Sequence, residues 1–287
     1  DDAIADATLM AGGPYPVMVH SHGHRGYAES LATMMEYFAS HGWVVAAPDH
    51  VGNTTFDSAA RTTEDYYYRP LDITATLDLL ASPPEGDPLI GQLQTDRVLL
   101  TGYSFGGYTV AAIAGAEYAM DALVPQCEDE SGPEEFCSNM NEDTEALFRA
   151  GFRDERFVAT VMIATGDYRF FLEGASEIAT PLFQLDGSLD PGHATDAEQF
   201  WETSITSDHY RVTIEGAGHG TMSDVCSLTP DFDGCGEEFL DSEEAFRIMN
   251  AYSLAFGEAY LELGDRGDSI LDGSFEVGAA ADYLTTP

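Results

Sequence analysis

The stretch Thr101-Gly102-Tyr103-Ser104-Phe105-Gly106-Gly107 constrains this chain most, because it fits G-x-S-x-G and joins a strand-like run to a helix-like one. Ahead of it, Arg97-Val98-Leu99-Leu100-Thr101 is short, β-branched and aliphatic, as suits a strand buried on both faces of a parallel sheet. After it, the small residues of 108–116 suit a helix lying close against that sheet. A strand that passes straight into a helix must turn sharply, and glycines two residues either side of the serine remove the Cβ atoms that would clash there. Such a turn lifts Ser104 Oγ above the sheet edge. The helix start behind it offers main-chain N–H groups and a positive dipole end to a developing oxyanion. The stretch therefore predicts a serine nucleophile.

The remaining elements can be placed around that turn. Residues 15–20 read as a strand, Ser21-His22-Gly23-His24-Arg25-Gly26 as a loop, and 29–40 as a helix with Leu31, Met34, Met35 and Phe38 on its apolar face. The next strand is 43–47. Residues 51–68, including Tyr66, Tyr67 and Tyr68, read as a polar loop, followed by a helix over 69–81. Further strands are expected at 157–164, 181–185 and 210–214, with helices around Phe200 and Trp201 and over 242–263. Strands alternating with helices imply a mostly parallel sheet with helices on both faces. The acidic segment 118–150 carries no strand and reads as an inserted cap or lid, leaving 1–117 and 151–287 as the core. The Gly-rich tail from Gly264 reads as partly disordered.

Charge excludes several partners. The chain of 287 residues has 51 acidic and 11 basic residues, a net charge of −40, and every basic residue is Arg. A surface this negative repels nucleic acid and anionic lipid. Its self-repulsion suits a halophilic or salt-tolerant protein, and equally an acidic secreted one. The four cysteines form two close pairs, Cys127/Cys137 and Cys226/Cys235, so local pairing would close two short loops. Two disulfides point to an oxidising, secreted or periplasmic setting. Neither pair has the C-x2-C spacing of a zinc knuckle. No apolar run reaches membrane-span length and no signal peptide is visible, while Asp1-Asp2-Ala3 reads as a processed or truncated end.

An activated serine needs a base within reach and a carboxylate to hold that base's tautomer. Asp190 and His219 both follow strands, and the order Ser104, Asp190, His219 is that of hydrolases built on this nucleophile turn. Asp186 and Asp167 compete for the acid's role. His193 and His209 read as surface or supporting histidines. The H-x-H-x-H run of His20, His22 and His24 admits another class, a metal-dependent hydrolase, although Gly23 and the chain turn break the alternation that would aim three imidazoles together. No D-x-D-x-D-G calcium loop is present. Tyr27, Phe105, Tyr168, Phe170 and Phe171 are candidates for an apolar cleft, and equally for the core.

His20-Ser21-His22-Gly23, Gly102 to Gly107, residues 181–190 and Gly216-Ala217-Gly218-His219 together resemble the α/β-hydrolases of the platelet-activating-factor acetylhydrolase and dienelactone-hydrolase-like esterase group. Bacterial cutinase-like polyester hydrolases are similar to that group. The resemblance covers about 14–117 and 156–225, and the cysteine-bearing insertion is similar to those of bacterial members. It implies a monomeric serine carboxylic-ester hydrolase with an α/β-hydrolase fold, working through an acyl-enzyme without a cofactor. Its substrates would be short-to-medium acyl or aromatic esters, with a polyester hydrolase or lipase of the same fold as the alternative. The implied oxyanion donors are the N–H of Phe105 and, by family position, of His24. Spacing from Pro181 matches the commoner family acid at Asp190, whereas the acetylhydrolase branch places its acid at Asp167. Three departures matter. Dienelactone hydrolases have cysteine where Ser104 stands, polyester hydrolases show tryptophan near Gly166-Asp167-Tyr168, and two strands expected before residue 14 would have to be truncated or supplied by another fragment.

The charge gives a direct test of the salt expectation. Screening shortens from about 10 Å at 0.1 M salt to about 3 Å at 1 M, so the melting temperature is expected to rise from low to molar NaCl. A flat series would remove the halophilic reading.

Overall fold

The computed structural model describes residues 4, 7–57, 60–204 and 208–285, so Asp1, Asp2 and Ala3 lie outside the described residues. Seven strands form one sheet: β1 (Tyr15–Ser21), β2 (Val44–Ala46), β3 (Leu93–Tyr103), β4 (Phe157–Ile163), β5 (Leu182–Gly187), β6 (His209–Ile214) and β7 (Ala281–Thr285). Their spatial order is β2-β1-β3-β4-β5-β6-β7. The first six run parallel and β7 pairs antiparallel with β6. This is the mostly parallel sheet expected of an α/β-hydrolase fold.

Side-chain alternation divides the core into two layers. Val17, Val19, Val98 and Leu100 face one side, where α2 (Thr63–Ala81) and α3 (Phe105–Ala114) pack. Met18, Leu99 and Val161 face the other, against α1 (Ala32–Ser40) and the long C-terminal helix. Residues 118–150 fold as α4 (Met120–Glu128), α5 (Glu134–Cys137) and α6 (Glu142–Ala150), with Cys127 and Cys137 bonded at 2.02 Å. The segment is acidic on its surface but anchored by Phe136 and Phe148, both fully buried against Tyr66, Phe170 and Tyr118. The helix α7 (Pro191–Thr203) follows β5, α8 (Val225–Leu228) precedes the bonded Cys235, and α9 (Ser242–Tyr260) closes the second layer. Among the described residues no helix is long and apolar enough to cross a membrane.

Two sequence expectations need correction. Tyr66, Tyr67 and Tyr68 lie inside α2, which starts at Thr63 rather than Arg69. The Thr62 N–H donates to the Asp65 carboxylate at 2.9 Å, which caps the helix start. Pro70 then sits in the helix interior, where it lacks the N–H that the Tyr66 carbonyl would normally receive. The Tyr108 hydroxyl fills that gap, donating to the Tyr66 carbonyl at 2.8 Å, so the tertiary fold supplies what the sequence around Pro70 lacks. The tail from Gly264 also carries order: α10 (Asp268–Leu271) and β7 follow, and Tyr283 stacks on Tyr210 and Tyr252.

Tyr108 also lies 2.6 Å from the Tyr118 hydroxyl, with both rings buried. Tyr108→Phe should therefore strand the Tyr66 carbonyl and lower unfolding free energy by about 1–3 kcal/mol. Urea denaturation checks this, and unchanged stability would mean the carbonyl finds another donor.

Candidate active site

Ser104 sits between β3 and α3 with φ 55° and ψ −118°, a left-handed backbone uncommon for serine. The glycines around it make the turn possible. A Cβ at Gly102 would lie 2.2 Å from the Gly106 carbonyl oxygen, and one at Gly106 would lie 1.9 Å from that of Ser21. Close approach of α3 to the end of β1 thus requires glycine at both positions and brings the loop after β1 beside the serine. The N–H groups of Phe105 and His24 have no acceptor among the described residues, in keeping with donors aimed at a substrate oxygen.

His219 and Asp190 come from the neighbouring strand ends. His219 Nε2 lies 3.0 Å from Ser104 Oγ, and its Nδ1–H donates to Asp190 Oδ2 at 2.7 Å. The Tyr103 hydroxyl donates to the His219 carbonyl at 2.9 Å. The loop closed by Cys226 and Cys235 supports the same turn, because Gly220 N–H donates to the Asp233 carbonyl and Thr221 N–H to that of Gly234. Asp190 caps the start of α7 but spends its carboxylate on side chains: its Oδ1 accepts from His193 Nδ1 at 2.9 Å. Burial alone would raise the pKa of Asp190, yet the hydrogen bonds from His193 and His219 outweigh it and hold the carboxyl well below its usual range.

The competing acids are engaged elsewhere. Asp167 pairs with Arg61 at 3.0 Å and Arg169 at 3.4 Å, with its N–H donating to Asp196. Asp186 is buried against Arg211 at 2.9 Å, and burial pushes its carboxyl up to about 6. His209 is buried and contacts Gln184 at 2.7 Å, so it is a core histidine rather than a surface one.

The histidine run does not form one ligand set. His20 contacts Thr101 Oγ1 at 2.8 Å, His22 accepts the His50 N–H at 3.0 Å, and His24 accepts from the Asn53 amide at 3.0 Å. Each imidazole therefore has a different partner, which corrects the metal-hydrolase alternative for this loop. Burial drives their pKa values down, to about 3 for His20 and about 4 for His22 and His24. Asp190, His193 and His219 do lie close enough to hold an ion. However, the two rings are nearly parallel, 11° apart, with both Nδ1 atoms on one carboxylate, so their lone pairs run side by side instead of converging.

Sequence reasoning missed two arginines here. Arg69 on α2 is fully buried and has no carboxylate within ion-pair distance among the described residues. It donates to the His22 carbonyl, to Asn53 Oδ1 at 2.7 Å and to Thr109 Oγ1 at 3.2 Å. Arg69 thus fastens the His22 and Asn53 loops, and through Asn53 it reaches His24. Burial pushes its guanidinium down to about 9, which leaves it cationic at neutral pH. Arg61 and Arg69 lie 4.4 and 4.5 Å from the Phe105 ring centre. The signal available in the sequence is the Arg69-Pro70 pair at the expected start of the 69–81 helix, ahead of which the tyrosines read as a loop.

A cavity of about 310 Å³ opens beside Ser104, walled by Phe105, Arg61, Asp167, Arg169, His193 and Asp196. A larger cleft of about 670 Å³ lies away from the serine, between the end of α3 and α6, and carries no histidine. The chemistry belongs to the smaller one. The expected aromatic cleft does not form, because Tyr168, Phe170 and Phe171 are buried in the core and Tyr27 packs near Phe56 instead. Phe105 is the one aromatic candidate on the cavity wall.

The chain is similar to known platelet-activating factor acetylhydrolases. A family model described as platelet-activating factor acetylhydrolase, isoform II, matches residues 1–68, which include the loop after β1 but not Ser104. A platelet-activating factor acetylhydrolase of Cavia porcellus is 22% identical over 94% of this chain and 64% of its own length. One of Gallus gallus is also 22% identical, over 94% of this chain and 68% of its own. The chain thus spans about two thirds of these relatives. Its sheet, its strand-to-helix serine turn and these matches make it an α/β-hydrolase-fold protein similar to the platelet-activating factor acetylhydrolases.

Proposed function

We propose that the protein is a serine hydrolase of carboxylic esters, and the continuous contact from Ser104 through His219 to Asp190 carries that reading. His219 Nε2 takes the Ser104 proton as Oγ attacks the ester carbonyl, and Asp190 stabilises the imidazolium that forms. The N–H groups of Phe105 and His24 receive the developing oxyanion, each such donor contributing about 10²–10³ in rate. Collapse of the tetrahedral intermediate, with His219 protonating the alcohol, leaves an acyl-enzyme that water hydrolyses by the same route. No cofactor enters these steps.

The polar wall of the cavity favours small esters. Two arginines, two aspartates and a histidine line it, which suits a short acyl group and disfavours a long alkyl chain or a stacked aromatic ring. Lipase and polyester activities are therefore the weaker readings. The segment 118–150 contributes no wall residue but meets the site's rim, where Glu135 pairs with Arg169 at 2.6 Å, so we read it as a cap on one side of the entrance. Two disulfides support folding in an oxidising compartment.

A fluorophosphonate should label the protein and fail to label Ser104→Ala. Asp190→Asn should lower kcat on p-nitrophenyl acetate by about 10³–10⁴, while Asp167→Asn stays within about tenfold. The reverse pattern would move the acid to Asp167. Across p-nitrophenyl esters of increasing length, turnover should decline beyond short chains, and a long-chain preference would reinstate the lipase reading.

A further inference from the structure

Asp190 serves two imidazoles. His193 and His219 stack with ring centres 4.1 Å apart and planes 11° apart, each donating to a different oxygen of the one carboxylate. In an acid of this kind the second oxygen needs a donor that fixes the plane of the carboxylate, so that the first oxygen meets the base squarely. Among the described residues no main-chain N–H donates to the Asp190 carboxylate, although Asp190 caps a helix. The donor is instead the side chain of His193, three residues on and one helical turn away.

We propose that His193 is a positioning residue of the catalytic acid: its Nδ1–H clamps Asp190, and its ring fixes the face of His219. The inference rests on the serine hydrolase reading above. His193 is part-exposed on the cavity wall, so it is within reach of solvent protons. The charged groups around it are Asp190, Asp196 and Asp167, with Arg61 and Arg169 on the same wall. Burial opposes its protonation, but the hydrogen bond to Asp190 and the three carboxylates raise its pKa overall. The clamp thus holds the Asp190 carboxylate in the plane in which its other oxygen meets His219 Nδ1.

The test compares His193→Ala, which removes the donor, with His193→Asn, whose amide nitrogen can stand where Nδ1 stands. His193→Ala should lower kcat on p-nitrophenyl acetate by about 10- to 100-fold with KM little changed, and His193→Asn should recover most of it. Thermal unfolding is measured alongside to confirm that both variants fold. Equal loss in both variants, or an unaltered kcat in His193→Ala, would each overturn the proposal. Fluorophosphonate labelling of Ser104→Ala separates the two levels: retained label there removes the serine reading itself, whereas lost label with unaffected His193 variants removes only the clamp.

Discussion

The site depends on one close approach, that of the start of α3 to the end of β1. Gly106 leaves no space for a side chain against the Ser21 carbonyl, and Gly102 leaves none against Gly106. That contact fixes where Ser104 points and draws the loop of residues 22–26 against it. Everything else in the site is arranged around it, since β5 and β6 on the far side deliver Asp190 and His219 at the same sheet edge. The strained backbone at Ser104 persists because its neighbours on both sides are packed too tightly to let it relax.

Arg69 extends that constraint. A buried charge with no opposite partner costs several kcal/mol unless its hydrogen bonds are satisfied, and Arg69 satisfies them on the backbone and side chains of the loops beside the serine. The same bonds order Asn53, which in turn fixes His24. A lysine could not make this set of contacts, because its ammonium is a point donor rather than a planar fork. Pro70, next in sequence, is tolerated only because Tyr108 reaches back to the Tyr66 carbonyl. The α2 segment that looks irregular in sequence is thus held by α3.

How much of this was legible from the sequence follows from range. Ser104, its glycines, and the order of Asp190 and His219 are local patterns tied to strand ends, so periodicity and turn chemistry reach them. The choice between Asp190 and Asp167 was not local: it turned on which carboxylate Arg61 and Arg169 neutralise, and those lie on other elements. The resemblance implied Asp190 by its commoner spacing and Asp167 by its acetylhydrolase branch, and Asp190 is the carboxylate that lies on His219. His193 was readable as a histidine at the start of a helix, three residues after an aspartate. Its purpose was not, because the stacking on His219 joins residues from two strand ends. The supposed cleft aromatics failed for a different reason: a tyrosine or phenylalanine after a strand satisfies a core as well as a pocket, and only packing against Tyr66, Phe136 and Phe200 decides.

The placement of charge gives the arginines a common meaning. A net charge of −40 raises the energy of any further negative charge that develops on the protein, the oxyanion included. Salt weakens the distant part of that field, over a screening length of about 10 Å at 0.1 M. It weakens the short-range contacts of partly buried charges much less. Of 11 arginines, Arg61 and Arg69 lie beside the ring of Phe105, the residue whose N–H follows the nucleophile, and Arg169 stands on the same cavity wall. Asp167 partly neutralises Arg61 and Arg169, while Arg69 is buried with no ion-pair partner among the described residues. Arg69, a buried cation with no carboxylate within ion-pair distance among the described residues, is thus set beside the turn that carries Ser104, beneath a strongly acidic surface.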